Sequence, residues 1–222
     1  MGGAEAGQGV PVGKLILVPA VLSLGITLLR LVGELRNWSP IFFNRAAGGG
    51  FAVVGIVWLV PILGVYFALN LAGVGQGPAS KGRAIGFALG SLLVLPAAAG
   101  VAALLGFREP RLGQIVVFAV ASLVAIPIAY RGWPALGATL LGYGLSARIP
   151  VAAVMLIAIL NNWGTHYELG TPNLPEMGLV TKWVVIGLVP QLTFWMAFTA
   201  VVGAIFGSVA LAVARRERPA TA

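Results

Sequence analysis

Apolar residues gather into six long runs, over 15–33, 51–73, 84–107, 114–130, 134–160 and 183–214, and the short stretches between them collect charged and turn-forming residues. Most of the runs are apolar on every side. That is the pattern of helices surrounded by lipid, unlike the one-sided stripe of helices packed on a soluble core. A helical crossing takes about 20 such residues. The pattern therefore predicts an all-α integral membrane protein, a single transmembrane domain over 1–222 built as a bundle of about six helices. The first run follows a leader holding Glu5 and Lys14 and no small-x-small cleavage pattern, so it is expected to remain as a helix.

The fourth run, about 17 residues, sits at the lower limit for a crossing. The fifth and sixth are long: about 27 and 32 residues make roughly 40 and 48 Å of helix against a hydrocarbon core of about 30 Å. Tilting, kinking or projection must absorb the excess. Every run contains a proline: Pro19, Pro61, Pro96, Pro127, Pro150 and Pro190. Each removes a backbone donor and tends to kink its helix. Two readings stay open, ordinary tolerance of proline in membrane helices and a set of hinges around a mid-membrane cavity.

The sixth run is expected to kink near Pro190. The fifth either crosses or is broken by Gly142, Gly144 and Pro150 into a re-entrant segment. The proline spacings do not repeat, so they give no support to an inverted-repeat transporter. Gly86-x-x-x-Gly90 and Gly203-x-x-x-Gly207 predict close backbone contact, read here as packing inside the bundle in preference to dimerisation.

Composition agrees with this picture: 59% of the residues are hydrophobic and 9% charged, against about 25% charged in a soluble domain. The net charge of +8 would suggest nucleic acid in a soluble protein. Here no basic run exceeds Arg215, Arg216 and Arg218, and the cations read as loop charges facing anionic headgroups. Membrane lipids are the expected partners, with a homo-oligomer or a larger membrane complex left open and no nucleic acid. Trp38, Phe42 and Phe43, with Arg36 and Arg45, have the chemistry of anchors at headgroup level. Six crossings place both termini on one side. The basic C-terminal cluster points that side to the cytoplasm, of a plasma or inner membrane.

Cysteine and aspartate are absent, and there is one histidine. Those absences remove disulfides, thiol catalysis and aspartyl chemistry, and no metal or cofactor is expected. No Gly-x-Ser-x-Gly elbow, phosphate-binding loop or dinucleotide fingerprint occurs. The six acids, Glu5, Glu34, Glu109, Glu168, Glu176 and Glu217, all fall in connectors or tails, which disfavours a carboxylate-driven cation antiporter.

Arg148 is the residue the pattern singles out. It lies near the middle of the fifth run, where an arginine costs about 2.5–3.5 kcal/mol to insert, and no run offers it a carboxylate. Three environments would satisfy it. It faces a cavity and binds an anion, with Tyr143, Ser146, Gln191 or Thr193 as neutral neighbours. It lies nearer an interface, in a re-entrant segment. Or it snorkels, or donates to carbonyls freed by proline, with no ligand.

A second polar group, Asn161-Asn-Trp-Gly-Thr-His-Tyr-Glu168, follows that run, and reads mainly as a helix cap and interfacial marker. A membrane-embedded enzyme would require His166 and Glu168 to converge on one point. The expected function is therefore a small transporter, channel or lipid-handling protein with an anion- or phosphate-binding site at Arg148. The alternative is a non-catalytic accessory or scaffold subunit of a larger membrane complex.

Overall fold

The apolar runs become helices wherever no glycine-rich connector intervenes. A computed structural model of the chain describes residues 12–50, 52–107, 112–170 and 174–214. Six helices in it are long and apolar enough to cross a membrane: α1 (Val12–Leu35), α2 (Ile56–Gly73), α3 (Lys81–Leu104), α4 (Leu112–Gly132), α5 (Pro134–Asn161) and α6 (Leu179–Ala214). No strand occurs among the described residues. Glu5, Arg108, Glu109, Arg111, Arg215, Arg216, Arg218 and Glu217, and the first three residues of the 171–177 turn, lie outside the described residues.

Large apolar side chains are exposed on every helix, among them Leu17, Ile62, Leu104, Leu123, Ile149 and Val213. A surface of this kind is compatible with an integral membrane protein. The helices divide into inner and outer members. In α1, α3 and α4, 22% of the most apolar window is buried, against 56% in α5 and α6. Helix α6 is central, packing on α2, α3, α4 and α5, while α1 lies mainly along α5.

Glycine allows the closest of these approaches. A Cβ on Gly64 would stand 2.5 Å from the carbonyl oxygen of Gly203, and one on Gly207 2.6 Å from that of Gly64, so α2 and α6 meet backbone to backbone. Below this crossing Phe67, Leu71, Leu136, Leu140, Tyr143 and Val201 form the buried core. The expected inward role of Gly86-x-x-x-Gly90 is corrected: a Cβ on Gly86, Gly90 or Gly100 meets open space. These residues stand on the outer side of α3, because Ala84, Ala88 and Ser91 occupy the face turned to the bundle.

The helix ends also depart from the apolar runs. The fourth run extends to a 21-residue helix, since Leu112 and Gly113 at one end and Arg131 and Gly132 at the other continue it. The second begins only at Ile56. Helix α3 is interrupted at Leu93, just before Pro96, and resumes over Val94–Leu104. Helix α5 is one continuous helix of 28 residues, unbroken at Gly142, Gly144 or Pro150.

Helix α6, by contrast, is irregular across the stretch around Pro190. A π-helical segment, Trp183–Leu188, precedes a single turn, Val189–Leu192. Thr193 then takes φ −117° and ψ −79° before regular helix resumes at Phe194. Pro190 has no N–H for the carbonyl of Ile186, and a wider π turn is one way to accommodate the loss.

Substitution at the α2–α6 crossing should therefore be far more damaging than on the open face of α3. Gly64→Ala or Gly207→Ala is expected to lower stability by about 1–3 kcal/mol through overpacking. Gly86→Ala and Gly90→Ala should leave it unchanged or slightly raised. Thermal unfolding of the purified protein in detergent checks both, and equal losses at the two faces would contradict the arrangement.

Candidate functional site

The C-terminal end of α1 carries a polar cluster that the apolar pattern conceals. Glu34 is in the last turn of α1, not in a connector, and its side chain is fully buried. A buried carboxylate needs donors to offset its lost hydration. Arg30, one turn earlier, donates from Nε to Glu34 Oε1 at 2.9 Å. His166, from the connector after α5, supplies two more contacts, its backbone N–H to Oε2 at 2.9 Å and Nδ1 to Oε1 at 2.5 Å. Arg45 donates to the Glu34 carbonyl.

Arg30 reaches further, its terminal nitrogen donating to the carbonyls of Asn44 (3.1 Å) and Gly49 (2.9 Å). Gly49 has φ +83°, and a Cβ there would stand 2.8 Å from that nitrogen. The positive φ is the conformation that favours glycine there, and a Cβ would press on the Arg30 guanidinium. Tyr167 closes the cluster by donating its hydroxyl to the carbonyl of Thr27 at 3.2 Å. Glu168 does not join His166. Its carboxylate accepts the backbone N–H groups of Trp163 (2.8 Å) and Gly164, tying off the turn that follows α5.

Below the cluster lies a cavity of about 330 Å³ between α1, α4, α5 and α6, walled by the irregular part of α6. Its polar edge is Arg30, His166, Tyr167 and Thr27; its inner cation is Arg148; Gln191 faces it from α6. Ile115, Val151, Met155, Phe194 and Trp195 supply apolar wall. A volume of this size is at the lower end of small-molecule sites, which are mostly apolar with a few placed polar groups.

Arg148 is 3% exposed, yet it has no hydrogen bond or ion pair among the described residues. Its guanidinium carbon sits 4.9 Å from the centre of the Trp195 ring, a cation–π contact. Its Nε is buried without a partner, and so is Gln191 Oε1. Buried polar atoms are normally satisfied, and an orphaned pair on one cavity wall marks a place where a ligand or water completes the structure.

Of the residues expected around Arg148, Gln191 lines this cavity and the other three do not. Tyr143 is hydrogen-bonded to Ser23 of α1 at 2.9 Å, Ser146 donates to the Tyr143 carbonyl, and Thr193 donates to the Val189 carbonyl. Among the expected anchors, Trp38 and Phe42 are exposed and Trp38 meets Phe43 edge-on at 5.3 Å. Phe43 itself turns inward over Gly33, and Arg36 is exposed. Arg45 is drawn from the surface to Glu34.

Burial lowers the pKa of His166 below its ordinary value, although its bond to Glu34 acts in the opposite direction. Burial likewise pushes the Tyr167 phenol up, so it stays protonated. For His166 the consequence has a definite sign. Above the unfolded value of about 6.5 the imidazole is neutral in both states and nothing is lost. As pH falls through that value and on through the lowered folded one, the unfolded chain takes a proton that the fold resists, and stability declines. His166→Gln should flatten that acid-side decline. Glu34→Ala, which leaves Arg30 buried without its carboxylate, should lose about 3–5 kcal/mol at neutral pH. Thermal unfolding across pH checks both.

No protein-family model matches the chain, and no curated protein or solved structure does, so the chemistry of the cavity rests on its own residues.

Proposed function

We propose that the chain is a multi-pass membrane protein that binds an anion at Arg148, as a small transporter, channel or lipid-handling protein. The observation that carries this reading is a buried guanidinium with an unpartnered Nε on the wall of an apolar cavity. An uncompensated charge there is expensive, and an anion relieves it. Trp195, Phe194 and Met155 beside it suit an amphipathic ligand, whose charged group meets Arg148 while its apolar part meets the walls. Such a group is a carboxylate, sulfate or phosphate, offered by a soluble anion or by an anionic lipid. Irregular backbone at membrane depth is tolerated where it lines a cavity, and the broken part of α6 does so.

In this reading both termini share one side, which the basic C-terminal cluster favours as the cytoplasmic side of a plasma or inner membrane, and anionic lipids meet the loop cations. The accessory-subunit reading has one observation in its favour. The outer face of α3 presents Gly86, Gly90 and Gly100 to open space, a flat surface suited to another membrane helix.

Purified wild type and Arg148→Met separate the two readings. Sulfate, phosphate and decanoate are titrated in neutral detergent, and anionic lipid is compared with zwitterionic lipid in nanodiscs. At about 100 times Kd a bound anion stabilises the wild type by about 2.7 kcal/mol. The variant should lose that response while unfolding, without ligand, no earlier than the wild type, because a buried unpaired charge has been replaced by an apolar side chain. A response to soluble anions alone identifies a solute site, and one confined to nanodiscs identifies a lipid site. Equal stabilisation of both proteins would overturn anion binding at Arg148.

A further inference from the structure

We propose that this cavity takes up a proton on His166 when the anion it binds is doubly charged, and takes up none when the anion is singly charged. The proposal deepens the anion-binding reading above and rests on it. It begins from the charges that share the cavity. Arg30 is matched by Glu34 at 2.9 Å, which leaves Arg148 as the uncompensated cation on the wall. A monoanion at Arg148 makes the set neutral. A dianion leaves one negative charge against walls that are largely apolar.

His166 is the group placed to correct that excess. It lines the same cavity as Arg148. Its Nδ1 is engaged by Glu34 at 2.5 Å, and its Nε2 has no protein partner among the described residues. In the neutral imidazole Nδ1–H donates to the carboxylate, so Nε2 is the free acceptor. A proton from solvent added at Nε2 gives an imidazolium held on one side by Glu34 and facing the anion on the other. Carboxylate, imidazolium and dianion then balance the two arginines.

The groups around His166 leave few competitors for this proton. Helix α1 contributes Glu34 and Arg30, and the connector after it contributes Arg45, bound to the Glu34 carbonyl. The histidine's own connector contributes Tyr167, its ring tilted 42° to the imidazole at 3.9 Å between centroids, and Glu168, occupied by two backbone N–H groups. Helix α5 contributes Arg148; from α6 comes neutral Gln191 and from α4 apolar Ile115. Glu34 already accepts three hydrogen bonds. Burial keeps the empty site's imidazole neutral, which leaves the proton to be gained on binding.

Linkage makes the coupling reciprocal: a proton that follows the dianion must also tighten it. A carrier built on this site would move a dianion together with a proton, and a monoanion alone.

Sulfate and methanesulfonate test this, being near-isosteric and of constant charge between about pH 5 and 8, where histidine titrates. Calorimetric titration of the purified full chain in two buffers of different ionisation heat counts the protons. Sulfate should take up close to one proton near neutral pH, and its affinity should rise by up to about tenfold per pH unit as pH falls. Methanesulfonate should take up almost none.

In His166→Gln the pH dependence of sulfate should vanish, and a cooperative thermal unfolding transition shows that the variant is folded. If that variant does not fold, the wild-type proton counts decide alone. Equal counts for the two anions in the wild type, or proton uptake surviving in His166→Gln, would overturn the proton site. Failure of both anions to bind, or equal binding to Arg148→Met, would instead overturn the anion-binding reading beneath it.

Discussion

The carboxylate of Glu34 is the point on which the upper half of the molecule depends. Buried in the last turn of α1, it accepts from Arg30 on its own helix and from both the backbone and the ring of His166. An unpaired carboxylate in such a place would cost several kcal/mol, so the connector after α5 is held over the end of α1. Through Arg30 the same interaction reaches the carbonyls of Asn44 and Gly49 and orders the first connector. The end of α1, the connector that follows it and a connector far along the chain are thereby joined around one charge. Their meeting forms the polar edge of the cavity.

The floor of that cavity depends on different physics. Helix α6 runs through the centre of the bundle, and Gly64 and Gly207 let it meet α2 without side chains between the backbones. Above that crossing the helix loosens into a π segment and a kink at Thr193. Trp183 donates to the Ala152 carbonyl at 2.8 Å, fixing the loosened part against α5. The widened turn brings Ile186, Pro190, Gln191 and Trp195 to the wall beside Arg148. Tight packing at one end and irregular backbone at the other thus belong to one helix, and the cavity lies on its irregular part.

Much of this was legible in the amino-acid order. The six apolar runs correspond to the six long helices, and Arg148 stood out as a cation with no acid in any run. Gln191 was legible as a polar residue in an apolar run, and it lines the same cavity as Arg148. Glu34 was not legible, because a glutamate followed by Leu35 and Arg36 at the end of an apolar run reads as the start of a loop. The only sign was Arg30, four residues earlier, at the spacing of a helical ion pair. The side of α3 on which Gly86 and Gly90 lie was equally hidden, since a Gly-x-x-x-Gly spacing states that one face is flat and not where that face points.

What the sequence determined by itself is the number of the long helices and that each is apolar enough to cross a membrane, because transfer of apolar side chains is a local, additive property of each run. It also determined that an arginine would be stranded at mid-helix. Only the tertiary structure decided how that charge is treated. Its surroundings are made by α1, α4, α6 and the connector after α5, so they depend on packing between segments that no local pattern encodes. There Arg148 rests on Trp195 and lines a cavity shared with His166, while Glu34 is already committed to Arg30 and His166.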